Sequence, residues 1–172
     1  MFLGCDIPSY WFKPWIDLNF IDRQESEKNH FMGFCGNRFN ERNEYLDQLS
    51  KQYGMKQDIM VIGQDMVDAI NSYKIHFNKS LGEPNGFSYR IAETLACGTL
   101  LLTNSSYMNS DIGLVDGVNC LIYDTYTDIM EQLEWIKNDD DAIREISENG
   151  YRLRDQFSAT DRAYELIKIL GD

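Results

Sequence analysis

The chain has 172 residues, 16 basic and 28 acidic, which gives a formal net charge of −12. This length is typical of about one domain, and 43% hydrophobic residues can form a core without disulfides or metal. The acidic balance argues against nucleic acid and against an anionic membrane surface as partners. No apolar run approaches the roughly 18 residues of a membrane span, and the N-terminus lacks a signal-peptide pattern.

The cysteines and histidines favour a reducing compartment and no metal site. The four cysteines, Cys5, Cys35, Cys97 and Cys120, form no CxxC pair, and there are only two histidines. Three of the cysteines lie inside apolar runs, which is typical of small core residues. We therefore expect a cytoplasmic protein that needs no metal or other cofactor.

Residues 1–30 differ from the rest of the chain because they lack a clear hydrophobic period. They are first aromatic, with Trp11, Phe12 and Trp15, and then polar. We expect an extended segment that packs on the domain's own surface or marks where a partner chain docks, and exposed aromatic residues would make self-association plausible. The predicted domain proper covers 31–172.

From Phe31 onward, short apolar runs alternate with amphipathic stretches, three of which follow the last run. The runs are 31–35, 58–62, 74–78, 99–103 and 119–123. Each run is apolar nearly throughout, as in strands buried on both faces. Alternation of this kind predicts an α/β fold, a Rossmann-like three-layer sandwich with a parallel sheet of about five strands covered by helices on both faces. Ligands of such sheets bind beyond the carboxyl ends of the strands.

The segment after the third run holds the strongest candidates for chemistry. It passes from a polar loop with Gly86 into a predicted helix that starts near Arg90 and Glu93. Helix N-termini attract anions, a glycine lets a phosphate approach the backbone, and a carboxylate can accept hydrogen bonds from two neighbouring sugar hydroxyls. The three-residue spacing of Arg90 and Glu93 is equally compatible with a plain salt bridge within the helix.

Two other features have ordinary structural interpretations. His76 alternates with apolar neighbours in the third run, which favours a core or edge histidine. The adjacent residues Asp139, Asp140 and Asp141 precede a predicted helix, whose N-terminus acids stabilise, so they need not bind a metal.

The chain resembles the donor-binding half of GT-B glycosyltransferases, closest to the group 1 family and its spore-maturation, CgeB-like branch. The resemblance covers about residues 30–170 and depends on motifs in a fixed order. These are GNR (36–38), the segment 63–80, RIAETLACGTLLLTN (90–104), DG (116–117), LIYD (121–124) and the tail 146–163.

The resemblance implies a set of donor-binding residues. Glu93 matches the second glutamate of the family's paired-glutamate motif, which holds the donor ribose, while Arg90 and Arg38 match basic residues that face the phosphates. The family's first glutamate has no direct match, because Asn85 occupies its usual position and Glu83 lies two residues earlier. Either the loop is two residues longer than in the family, or a neutral amide makes the contact to the sugar. The full predicted set is Asn37, Arg38, Glu83, Asn85, Gly86, Arg90 and Glu93. No catalytic residue is predicted.

The resemblance also implies a function, glycosyl transfer, for which we expect a second domain or a partner chain to be needed. The expected substrate is a nucleotide-diphosphate sugar, bound for glycosyl transfer to an unspecified acceptor. The segment 9–22 resembles the linker that precedes the donor domain in the family. We therefore expect activity to require an acceptor domain or partner chain. The alternative is a non-catalytic nucleotide- or protein-binding module of the same fold.

Overall fold

The computed structural model describes residues 14–80 and 87–171, and its centre is a five-stranded sheet. The strands are β1 (His30–Gly36), β2 (Lys56–Ile59), β3 (Tyr73–Asn78), β4 (Leu100–Asn104) and β5 (Leu121–Tyr123). They pair in the order β2-β1-β3-β4-β5, and every pair is parallel. The predicted Rossmann-like α/β fold is therefore confirmed.

Helices follow the strands and cover both faces of the sheet. They are α1 (Asn40–Tyr53), α2 (Gln64–Asn71), α3 (Tyr89–Ala96), α4 (Tyr107–Asp111), α5 (Tyr126–Ile136), α6 (Asp140–Tyr151) and α7 (Ala159–Gly171), with a 3₁₀ turn at Arg154–Phe157. The side chain of Asp139 caps α6, so the acidic run has the structural use that was predicted for it. The Oγ of Ser158 accepts the Asp161 N–H at the start of α7. The short α4 was not predicted.

The sheet separates two apolar layers. On one face α2 and α3 pack with the 3₁₀ turn, around buried residues that include Ile70, Leu95 and Phe157. On the other face α1, α5 and α6 pack around a second cluster of buried residues, which includes Phe34, Leu49 and Leu133. Because both faces are covered, the strands are buried on both sides, which explains their continuous apolar runs.

The second strand differs from its prediction. The expected range was 58–62, but β2 ends at Ile59. β2 is an edge strand with β1 as its one neighbour in the sheet, and the chain leaves it at Met60, whose φ is 59°. Met60 and Ile62 are 77% and 81% exposed. The apolar run is therefore divided between a strand and a solvent-facing loop.

Residues 14–29 run along the domain surface, partly anchored by apolar side chains. Ile16 and Ile21 are buried, and the Ile16 backbone exchanges hydrogen bonds with Phe157 and Ala159. Trp15 remains 50% exposed, whereas the predicted contacts of Trp11 and Phe12 fall outside the described residues. The domain boundary at residue 30 stays a prediction. No helix in the described ranges is long and apolar enough to cross a bilayer.

Candidate functional site

The topology creates a crevice between the carboxyl ends of β1 and β3. After β1 the chain crosses to β2 on one side, and it then returns to place β3 on the other side of β1. Parallel sheets bind ligands at such a reversal of strand order. A cavity of about 430 Å³ lies there. Its lining includes Cys35 and Gly36 from β1, Ser80 after β3, and Arg90 and Glu93 from α3.

Arg90 spans the crevice from α3 to both strands. Its Nε donates to the Cys35 carbonyl oxygen at 2.7 Å, and its Nη1 donates to Asn78 Oδ1 at 3.1 Å. Nη1 also lies 3.4 Å from Ser88 Oγ. Ser88 is the N-cap residue of α3, but its side chain makes no cap hydrogen bond. The guanidinium is thus fixed by two strands beside a helix N-terminus that has no side-chain cap.

Gly36 makes this position of Arg90 possible. A Cβ built on Gly36 would lie 2.5 Å from Arg90 Nη2, and the backbone φ of 147° is itself rarely adopted by other residues. The close approach places Nη2 directly above the end of β1. Within the described residues no group hydrogen-bonds Nη2.

Glu93 lies one turn after Arg90 and lines the same cavity. Burial raises the pKa of its carboxyl, and the positive charge of Arg90 opposes that rise. In the described part of the chain the two side chains form no ion pair, and no hydrogen-bond donor reaches the carboxylate. The salt-bridge interpretation of their spacing is therefore not what the structure shows. Glu93 therefore adds to the cavity lining a carboxylate that has no donor among the described residues.

Arg42 is a lining residue outside the predicted set. It is 3% exposed, and its guanidinium donates to the Asn37 carbonyl at 2.9 Å and twice to that of Lys79, at 2.6 and 3.1 Å. These bonds connect the loops after β1 and β3. Burial lowers the pKa of Arg42 to about 10, and the like charge of Arg90 adds to this effect. The site therefore contains one buried cation, Arg42, and one partly buried cation, Arg90.

The remaining wall of the cavity is apolar. Met60, Val61 and Ile62 come from the loop after β2, and Phe39 and Tyr89 add two aromatic side chains to the lining. Both aromatic residues are about half exposed. A ligand with an anionic end and a planar or apolar end would match this division of the lining.

The structure brings together only part of the predicted site. Arg90, Glu93 and Asn37 line the cavity. Arg38 does not, because its guanidinium pairs with Asp47 on α1 and with Gln57 and Asn43. The expected convergence of Arg38 and Arg90 is therefore not seen. Glu83, Asn85 and Gly86 lie outside the described residues.

Metal ligands are not assembled at the cavity. Among residues 14–80 and 87–171, no group of three His, Cys, Asp or Glu side chains is placed to hold a metal ion. The one thiol in the lining is Cys35, whose pKa burial raises to about 12, so it is protonated at neutral pH.

Comparison with protein families assigns the chain to a family. The sequence profile described as glycosyl transferase-like matches residues 22–168, which include every residue that lines the cavity. The chain belongs to the glycosyl transferase-like family. A search of curated protein sequences finds no significant match.

Solved structures of glycosyltransferases share the fold at low sequence identity. Anabaena Alr3699/HepE, solved in complex with UDP-glucose, has a TM-score of 0.70 and 14% identity over 91% of this chain and 56% of its own. The C-terminal domain of a group 1 glycosyl transferase (LpcC) from Francisella tularensis has a TM-score of 0.61 and 15% identity, over 80% of this chain and 95% of that domain. The chain thus spans just over half the length of the Anabaena protein, and it covers nearly the whole length of the isolated Francisella domain.

Proposed function

We propose that the chain is the donor-binding part of a glycosyltransferase and that its cavity holds a nucleoside-diphosphate sugar. One observation carries the proposal. The Glu93 carboxylate and the partly buried Arg90 guanidinium, whose Nη2 has no described hydrogen-bond partner, line one cavity at the strand-order reversal of a glycosyl transferase-like chain. The UDP-glucose complex of the Anabaena relative supports this class of ligand.

Each end of the ligand has a matching group in the cavity. The diphosphate would lie at Arg90 Nη2 and the N-terminus of α3, where positive charge and backbone N–H groups coincide. The ribose would lie at Glu93, whose two oxygens can accept from adjacent hydroxyls. The base would then lie against the apolar wall formed by Met60, Val61 and Ile62.

The RIAETLACG segment (90–98) also leads us to propose that the chain lies near the CgeB-like branch of the group 1 family.

The residues that bind the acceptor substrate would come from outside the described part of the chain. Transfer needs an acceptor hydroxyl held roughly 3–3.5 Å from the reacting carbon, with water excluded. We therefore expect no efficient transfer by this chain alone. Donor turnover of about 1 per second or faster, in the ordinary enzyme range, would contradict that expectation.

Thermal unfolding with UDP, GDP, ADP and their sugar conjugates tests the proposal. A ligand at 100 times its dissociation constant stabilises a fold by about 2.7 kcal/mol, so one nucleotide should raise the unfolding temperature clearly. At the same ligand concentration Glu93→Ala should reduce that stabilisation to about 0.4–1.4 kcal/mol, because losing a charged acceptor weakens binding by about ten- to a hundredfold. Glu131→Ala, on the exposed side of α5, is the control and should keep it.

Two outcomes would contradict the proposal. No stabilisation by any of these nucleotides would favour the alternative, a module of the same fold that binds a partner protein. Equal stabilisation of the wild type and Glu93→Ala would remove the ribose assignment.

A further inference from the structure

His76 lies beneath the cavity and does not line it. It is on β3, its side chain has no exposed surface, and the ring lies 5.6 Å from that of Tyr73. Its polar atoms nevertheless have specific partners. The Cys35 N–H donates to His76 Nε2 at 3.1 Å, and His76 Nδ1 lies 2.7 Å from Thr94 Oγ1.

The hydrogen bonds determine which ring nitrogen carries the proton. A backbone N–H can only donate, so Nε2 must be the unprotonated, accepting nitrogen. Burial lowers the pKa of His76 well below its usual value, so the ring is neutral and Nδ1 carries the proton. Nδ1–H then donates to Thr94 Oγ1, and the Thr94 hydroxyl donates to the Arg90 carbonyl.

These contacts close into a ring. From His76 one branch runs through Cys35, whose N–H contacts the imidazole and whose carbonyl accepts from Arg90 Nε. The other branch runs through Thr94 to the Arg90 carbonyl. The hydrogen-bonded ring of His76, Cys35, Arg90 and Thr94 thus holds Arg90 at both its side chain and its backbone. It also joins β1, β3 and the first turn of α3.

We propose that His76, as the Nδ1–H tautomer, is a positioning residue that fixes Arg90 in the orientation that receives the diphosphate; this inference rests on the proposed function. Only one proton arrangement satisfies all four members of the ring. The opposite tautomer would set an N–H against the Cys35 N–H and leave Thr94 without its donor. Such a mismatch in a buried site is costly, so the ring restricts Arg90 to one geometry.

The first test is spectroscopic and needs no ligand. The chain contains two histidines, His30 and His76, so ¹⁵N-histidine labelling gives two imidazole spin systems. We expect the signal that His76→Gln removes to show a proton on Nδ1 and none on Nε2 at neutral pH. His30, which is partly exposed at the start of β1, is the internal reference. A His76 signal from the Nε2–H tautomer or the imidazolium would overturn the inference.

The second test opens the ring at Thr94 while keeping the side-chain volume. Thr94→Val removes the hydroxyl, and Thr94→Ser restores it. With the nucleoside diphosphate that stabilises the wild type best, we expect Thr94→Val to weaken binding about tenfold. Binding of the corresponding nucleoside should not change. Thr94→Ser should recover most of the lost affinity for the diphosphate.

Thr99→Val is the matched control. Thr99 is as deeply buried as Thr94 and follows it closely in sequence, just before β4. Its hydroxyl donates to the Ile70 carbonyl at 2.9 Å and accepts from Lys28 Nζ at 2.7 Å, so this hydroxyl is not part of the ring. Both valine variants should lower the unfolding temperature, but only Thr94→Val should change the ratio of diphosphate to nucleoside affinity. If Thr94→Val does not fold, His76→Asn and His76→Gln replace it, and both should weaken diphosphate binding.

The outcomes separate this inference from the proposed function. A wild-type chain that binds diphosphate and nucleoside alike overturns the proposed function and this inference with it. A wild-type preference that persists unchanged in Thr94→Val, or in both His76 variants, overturns the inference alone.

Discussion

Helices α3 and α7 have similar amphipathic sequences but opposite environments. Five of the eight residues of α3 are buried, between the sheet and the 3₁₀ turn. None of the 13 residues of α7 is buried, and Ile167 and Leu170 are 65% and 76% exposed. Burial of its apolar face is what stabilises a short helix, so α3 is held in place far more firmly than α7.

The difference explains why the candidate site is built on α3. Arg90 and Glu93 lie on a helix that is anchored by five buried residues, and the hydrogen-bonded ring adds directional contacts to β1 and β3. A binding group on such an element keeps its geometry before the ligand arrives, which reduces the entropy lost on binding. A helix held like α7 could not provide this.

The largest expected effect is on the core side of α3. Leu95 is 1% exposed, so Leu95→Ala should leave a cavity and destabilise the fold by about 2–5 kcal/mol. Denaturant unfolding of the wild type and the variant measures this difference. A cost below about 1 kcal/mol, the ordinary value for an average substitution, would mean that α3 is not the anchored element.

Gly36→Ala should disturb the binding side of α3. Its Cβ would meet Arg90 Nη2 at 2.5 Å, so the guanidinium must move, and diphosphate affinity should fall by about tenfold or more. Gly54→Ala is the control, because Gly54 also has a positive φ, of 63°, but open space around the added methyl group. Both variants should lose stability from backbone strain. Equal nucleotide affinities in the two would show that Arg90 is not held against Gly36 for binding.

Glu93→Gln should weaken nucleotide binding but raise the free energy of unfolding, and the size of that gain in stability should depend on pH. The pKa of Glu93 is raised in the folded state, so ionisation disfavours the fold. Below the unfolded pKa of about 4.3 the glutamate is protonated in both states and the variant gains nothing. The gain should grow as the pH rises through the folded pKa and then stay constant. Unfolding curves of both proteins from pH 4 to pH 8 measure it, and a gain that is largest at the acidic end would contradict the sign.

The smallest effect is expected on α7. Leu170→Ala removes a side chain that is already 76% exposed, so the free energy of unfolding should change by about 0.5 kcal/mol or less. The same denaturant experiment that tests Leu95→Ala measures it. A cost close to that of Leu95→Ala would mean that something covers this face of α7 in solution.

The sequence predicts the buried half of the molecule better than its edges. Continuous apolar runs located β1, β3 and β4, because strands covered on both faces leave a strong local signal. The motif at 90–98 likewise predicted that Arg90 and Glu93 lie at the carboxyl ends of the strands, where the cavity is. The run 58–62 has the same apolar composition, but its last three residues leave the edge strand and face the cavity.

The choice of arginine after β1 could not be made from local sequence. Arg38 and Arg42 are both close to the strand end, and only tertiary contacts distinguish them. Arg42 is buried because its guanidinium donates hydrogen bonds to the carbonyls of Asn37 and Lys79. Arg38 instead pairs with Asp47 on the exposed side of α1. Periodicity also predicted that α7 is amphipathic, but it contains no information on what covers the apolar face.

Calorimetric titration with a nucleoside diphosphate and with its nucleoside tests the assignment of the cavity most directly. The wild type should bind the diphosphate at least about tenfold more tightly, as expected for charge-assisted hydrogen bonds to phosphate. Arg90→Gln should remove most of this preference, while Arg38→Gln, at the surface pair with Asp47, should keep it. Equal affinity of the wild type for diphosphate and nucleoside, or loss of the preference in Arg38→Gln but not in Arg90→Gln, would contradict the assignment.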